Sequence, residues 1–178
     1  SLTKYAGSEG DVMAGVLAVN PTRADADALL GFARARLEPL HALDLAALAA
    51  QVGRLTEVTR RLSATAAEIA RRLAAHPSVV RVRTADQGPT AEAYRRLRRP
   101  EAGAGSLITL ELRVEMRHVY DRLAVAKGPS FGLRYTLAAP FLWLAHFEEV
   151  TNEQGRARIR AAGLDPDLLR ISVGLEPV

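Results

Sequence analysis

The sequence contains no cysteine, which removes disulfides, thiolate metal ligands and a cysteine nucleophile from consideration. The four histidines, His41, His76, His118 and His146, stand too far apart to form a local metal motif, so no metal site is expected. No apolar run approaches the roughly 20 residues that a membrane-spanning helix needs. The N-terminus also lacks the charged-then-apolar order of a signal peptide, so a cytoplasmic protein with no membrane partner is expected. Aromatic residues are few: four Tyr, four Phe and one Trp. A net charge of +4 and a pI near 9.9 would suit a phosphate backbone. Yet no nucleic-acid-binding motif accompanies the charge, and little is available for base stacking, so nucleic acid is not an expected partner. Lysine is the scarcest charged residue: of 24 basic residues only Lys4 and Lys127 are lysines. Arginine stays protonated and cannot serve as a neutral amine, so a position that needs an amine nucleophile must remain lysine. Lys4 is one of only two candidates.

What is present is a folded-protein composition. The 178 residues and 48% apolar content fit one domain, or a small domain with a remnant of another. Asp11 to Val19 reads as a buried strand of small and β-branched residues closed by Asn20-Pro21. Residues 24–37 predict a helix, which Pro39 interrupts. Leu45, Leu48, Val52, Leu55, Val58, Leu62, Ala66, Ile69 and Leu73 recur every three or four residues. That stripe predicts one helix of about thirty residues ending at His76-Pro77, with Arg54, Arg60, Arg61, Arg71 and Arg72 on its solvated side. Val80 and Val82 alternate with arginines as one strand, and Leu110, Leu112 and Val114 alternate with polar residues as a second. A polar helix near 90–99 and another over 115–126 are expected, as is a third strand, Leu168 to Val173. The Arg95 to Arg99 run reads as a solvated helix face. The pattern predicts an α+β fold in which helices cover a small, mostly antiparallel sheet.

Two motifs carry a resemblance. Ser1-Leu2-Thr3-Lys4-Tyr5 followed by Asp11-Val12-Met13-Ala14-Gly15, and Leu168-Leu169-Arg170-Ile171-Ser172-Val173-Gly174-Leu175-Glu176, stand at opposite ends of the chain. Between them Ser130-Phe131-Gly132 sits where a Ser-Leu-Gly turn would be expected. In these residues and in the order of elements, the whole chain resembles the C-terminal half of the cysteine/methionine-metabolism pyridoxal-phosphate enzymes, the trans-sulfuration family typified by cystathionine γ-synthase. The resemblance implies the C-terminal part of the aspartate-aminotransferase-like fold. Residues 1–40 would close a large cofactor-binding domain, and 41–178 would form the long connecting helix and a small α+β domain.

The resemblance also implies roles. Lys4 would bind pyridoxal 5'-phosphate through its amine and then move protons as a general acid and base. Ser1 and Thr3 would hydrogen-bond the cofactor phosphate. Arg170 would grip the α-carboxylate of an amino-acid substrate with its bidentate fork, helped by Ser130. On chemistry alone, Arg170 could instead pair with Asp165 or Asp167, and Ser130 could be an ordinary turn residue. The implied activity is that of a lyase or transferase working at the β or γ carbon of a sulfur-containing or related amino acid. Because the chain starts on the lysine motif, it is expected to be a fragment, a cleaved product or one subunit of a split enzyme, active only with an N-terminal half and in a homo-oligomer. The competing expectation is a non-catalytic interaction domain that uses the apolar stripe of the long helix. Two positions depart from the family's pattern: Glu9 stands where a histidine is usual, and Arg134-Tyr135-Thr136 where an acidic residue is usual.

Overall fold

The chain folds around the pairing of its second and last strands. The computed structural model describes residues 1–177. In chain order the elements are α1 (Ala26–Arg34), α2 (Ala42–Val52), α3 (Leu55–Ala74), β1 (Val79–Arg83), α4 (Ala91–Leu97), β2 (Leu107–Leu112) and α5 (Met116–Arg122). They are followed by β3 (Ala126–Lys127), β4 (Leu137–Ala139), α6 (Phe141–Ala145), α7 (Phe147–Val150), α8 (Glu153–Ala161) and β5 (Leu169–Ser172). The sheet order is β1-β2-β5-β4-β3, and every pair is antiparallel except β3 with β4. This is the expected α+β arrangement.

Ile108 faces Ile171 and Leu110 faces Leu169 across the β2–β5 pair, and these side chains form the centre of the main core. Helix α3 covers them because Val58, Leu62, Ala66 and Ala70 recur on its buried face, and Ala66 and Ala70 meet the sheet. Leu169 is wholly buried there. Truncation to alanine is expected to cost about 2–5 kcal/mol, read as a lower denaturation midpoint. An unchanged midpoint would contradict this view of the core.

Three sequence expectations are corrected. First, Asp11 to Val19 forms no strand. Val12 and Ala14 are buried as alternation requires, but the segment meets no neighbouring strand among the described residues: Ala14 O takes the N–H groups of Leu2 and Thr3, Ala14 N–H bonds the Thr3 hydroxyl, and Met13 N–H bonds the Asp44 carboxylate. Second, the thirty-residue helix is two helices, because Gly53 and Arg54 leave helical pairing between α2 and α3. Glycine is a poor helix residue, and the apolar stripe runs across the break regardless. On α2 that stripe is largely uncovered, with Leu45 and Val52 exposed. Third, Glu111 does not face solvent. It is buried and paired with Arg83 at 2.7 Å and Arg81 at 3.6 Å, a cross-strand cluster that alternation alone could not reveal. Smaller differences follow the same logic: β2 ends at Leu112, leaving Val114 exposed, and Arg98 turns back to the carbonyls of Pro100 and Ala102.

A second, smaller cluster is separate from the sheet core. Ala6, Val12, Ala14 and Leu48 pack with Leu2, Leu40, Ala47 and Leu55, which seats the first fourteen residues on α2 and the start of α3. A third joins Leu142, Val150 and Leu168. At its edge Asp167 accepts from Trp143 Nε1 at 3.0 Å and pairs with Arg156. Burial would raise the Asp167 carboxyl, but the bonds from Arg156 and Trp143 outweigh it and the pKa falls below the ordinary value. A depressed carboxyl stabilises the fold above its unfolded pKa, about 3.9, and loses that contribution as pH falls through the lower folded value. Asp167→Asn is therefore expected to melt below the wild type at neutral pH, with the gap narrowing as the pH is lowered into the acid range. A gap that stays the same size as the pH falls would refute the assignment.

Candidate active site

The lysine motif is a compact loop. Gly7 N–H closes onto Leu2 O at 2.8 Å, and Leu2 and Thr3 N–H groups bond Ala14 O at 2.8 and 3.2 Å. The Thr3 hydroxyl donates to Ala14 O at 3.2 Å and accepts Ala14 N–H at 2.9 Å. Thr3 thus pins the loop to the extended segment, and it can donate to a phosphate only by releasing Ala14 O. Ser1 is exposed, and its hydroxyl has no hydrogen bond among the described residues.

From this loop Lys4 reaches across the chain. Its Nζ donates to Ser130 Oγ at 3.1 Å and lies 5.3 Å from the centre of the Phe131 ring. Arg170 comes from β5, paired with Thr109 on one side and Ala139 on the other. Its guanidinium sits 4.2 Å from the Phe141 ring centre and 6.0 Å from that of Phe131, and it donates to Pro129 O. The alternative of Arg170 as a cap for Asp165 or Asp167 is not what the fold shows, since Asp167 is held by Arg156. Neither Lys4 nor Arg170 has a carboxylate within ion-pair distance among the described residues. Burial lowers the Arg170 pKa, so this cation is partly desolvated with no anion opposite it among the described residues. A desolvated, uncompensated guanidinium next to a free amine and a hydroxyl is a donor set suited to an anionic ligand that also carries a carbonyl carbon.

Phe131 was not anticipated as a site residue. Its ring is near both cations, 5.3 Å from Lys4 Nζ and 6.0 Å from the Arg170 guanidinium, and the only signal in the sequence was a phenylalanine where the turn usually carries leucine. The two departures from the family's pattern meet each other. Glu9 pairs with Arg134 at 2.5 Å, with Arg54 3.8 Å away, and Arg134 N–H bonds Ser8 O at 3.0 Å. The lysine loop is thus tied to the exit of the Ser130 turn by an ion pair.

The family model for Cys/Met metabolism PLP-dependent enzymes matches residues 1–178. The chain belongs to that family. Among relatives, it is 39% identical over 177 residues to the L-2-amino-4-chloropent-4-enoate dechlorinase/desaturase of Streptantibioticus cattleyicolor, covering 99% of this chain and 35% of that protein. It is 32% identical over 179 residues to a cystathionine gamma-synthase of Neurospora crassa, covering 99% of this chain and 28% of the relative. Among solved structures, a cystathione gamma lyase from Micromonospora echinospora superposes with a TM-score of 0.80 at 25% identity, covering 99% of this chain and 46% of that one. The chain thus spans about a third of the length of these two curated relatives and under half of that solved chain. As in the rest of the family, the cofactor concerned is pyridoxal phosphate, and the amine, hydroxyl and guanidinium brought together here fit it and an amino acid.

Proposed function

We propose that this chain supplies Lys4 and Arg170 to a pyridoxal-phosphate enzyme that removes or replaces a substituent at the β or γ carbon of a sulfur-containing or related amino acid. The observation that carries the reading is the meeting of Lys4 with Ser130, 126 residues away, beside an arginine that has no carboxylate partner among the described residues. The relatives are named for a chlorinated amino acid and for cystathionine, which supports a substituted amino acid as the substrate class and leaves the leaving group open.

When bound, pyridoxal phosphate supplies an electron sink for charge developing on the substrate. Lys4 Nζ is the group that would hold the cofactor and afterwards take and return a proton at the substrate carbons. Arg170 would orient the substrate through its carboxylate, and Phe131 would shield the two cations beside it from water. Ser130 would steady the Lys4 amine by accepting a hydrogen bond from it, while Ser1 and Thr3 would offer hydroxyls to the phosphate. In this reading residues 1–40 belong with a cofactor-binding domain, residues 41–178 with a substrate-side domain, and an N-terminal half and further subunits complete the pocket.

The test is an assay of the complete enzyme, this chain together with its N-terminal half, with pyridoxal phosphate and amino acids bearing a leaving group at the β or γ carbon, following release of that group. Cofactor-dependent turnover is the expected result. Stoichiometric cofactor binding with no turnover of any such amino acid would refute the catalytic reading.

A further inference from the structure

Next to Lys4, the Tyr5 side chain runs inward. Its phenol oxygen accepts the Ser106 N–H at 3.1 Å and lies 3.1 Å from Ser106 Oγ. Ser106 Oγ is 3.4 Å from Ser172 Oγ, which accepts the Gly132 N–H at 3.1 Å. Ser106 and Ser172 are essentially inaccessible to solvent, at 0% and 1% exposure, so their hydroxyls depend on each other and on Tyr5 for partners.

The ring of Tyr5 is as tightly placed as its oxygen. A Cβ on Gly132 would stand 3.0–3.1 Å from three ring carbons, and one on Gly105 would stand 3.1 Å from the phenol oxygen. Both glycines have positive φ, 74° and 81°, a conformation that larger residues adopt only with strain. The Tyr5 ring also meets Phe131 edge-on, with centroids 6.1 Å apart. The segments joined in this way are the loop carrying Lys4, the turn carrying Ser130, the strand β5 carrying Arg170, and the entry to β2.

We infer that Tyr5 is a positioning residue: acting through Ser106 and Ser172, it sets where the Lys4 amine stands relative to Ser130 and Arg170. A tyrosine that merely filled space would need neither a buried two-serine chain nor a bond from it to the turn beside Phe131. The inference rests on the reading of Lys4 given above, and it concerns the geometry of the free amine.

The test uses the two lysines as signal and internal reference. In the full chain without added cofactor, limiting acetic anhydride is applied and the ratio of acetylation at Lys4 to that at Lys127 is read by mass spectrometry. Lys127 is a suitable reference because its amine donates to the Tyr120 and Leu123 carbonyls, remote from this network. Tyr5→Phe, which deletes only the phenol oxygen, and Ser172→Ala, which frees the Gly132 N–H, are each expected to raise the ratio roughly threefold or more. Asn152→Ala removes the cap at the start of α8 and controls for simple loss of stability. It is expected to leave the ratio unchanged. Wild-type ratios in both variants at a temperature where all are folded, or an equal rise in Asn152→Ala, would overturn the inference, and Ser172→Ala keeps it testable if Tyr5→Phe fails to fold. Reduction of the cofactor-loaded wild type with borohydride tests the reading of Lys4 separately. If the cofactor is not fixed on Lys4 while the ratios shift, the functional reading fails and the network stands.

Discussion

Exchange of Lys4 for arginine is expected to lower turnover by at least about a thousandfold, because the variant keeps the charge and loses the only amine at the site. The fold should survive. Lys4 makes a single side-chain hydrogen bond, to Ser130, and is half-buried, so its loss leaves no buried group without water or a partner. The experiment pairs steady-state kinetics of the full chain with circular dichroism. A folded variant with wild-type turnover would show that the amine does no chemistry. Lys127→Arg is the matching control and is expected to be neutral for turnover, since Lys127 serves to hold the end of α5 through the Tyr120 and Leu123 carbonyls.

The second large effect is expected at Arg170. Replacement by leucine should lower kcat/KM by roughly thirtyfold to several thousandfold, the range for losing one partner of a hydrogen-bonded charge pair, about 2–5 kcal/mol. Most of the loss should appear in KM, because the carboxylate is bound equally before and during the reaction. Stability should hold or rise. The leucine would lie beside Phe131 and Phe141, and the exchange removes a partly desolvated cation that has no carboxylate partner among the described residues. Arg170→Lys should recover only part of the affinity, since an ammonium lacks the planar fork. A leucine variant with unchanged KM would remove Arg170 from the substrate site, and one that unfolds would assign it a structural role.

Much of this site could be read in the sequence because its chemistry is restricted to particular residue types. Lys4 stood out because arginine cannot replace an amine, and Arg170 because it sits two residues before the Ser172-Val173-Gly174 turn out of β5. What could not be read was contact between distant segments. The Glu9–Arg134 pair, the Phe131 ring near both Lys4 and Arg170, and the Tyr5–Ser106–Ser172 chain all join residues at least 39 positions apart. No local period encodes such contacts.

The fold shows the same division. Helix α3, strands β1 and β5 and the break at Pro39 follow from spacing and punctuation. Strands β3 and β4 were missed because two and three residues are too few to show alternation, and α6, α7 and α8 were missed because each is short and joined to the next without a strong breaker. Asp11 to Val19 shows the converse case. Its composition favours a strand, but a strand needs a neighbour to take its backbone hydrogen bonds, and among the described residues none is offered.

The central claim is that Lys4 is the residue that holds the cofactor. It is tested most directly by loading the complete enzyme, this chain together with its N-terminal half, with pyridoxal phosphate, reducing it with borohydride, and locating the fixed cofactor by mass spectrometry of the digest. The account predicts one cofactor per chain on the peptide containing Lys4. A label on Lys127, or no label on either lysine, would contradict it.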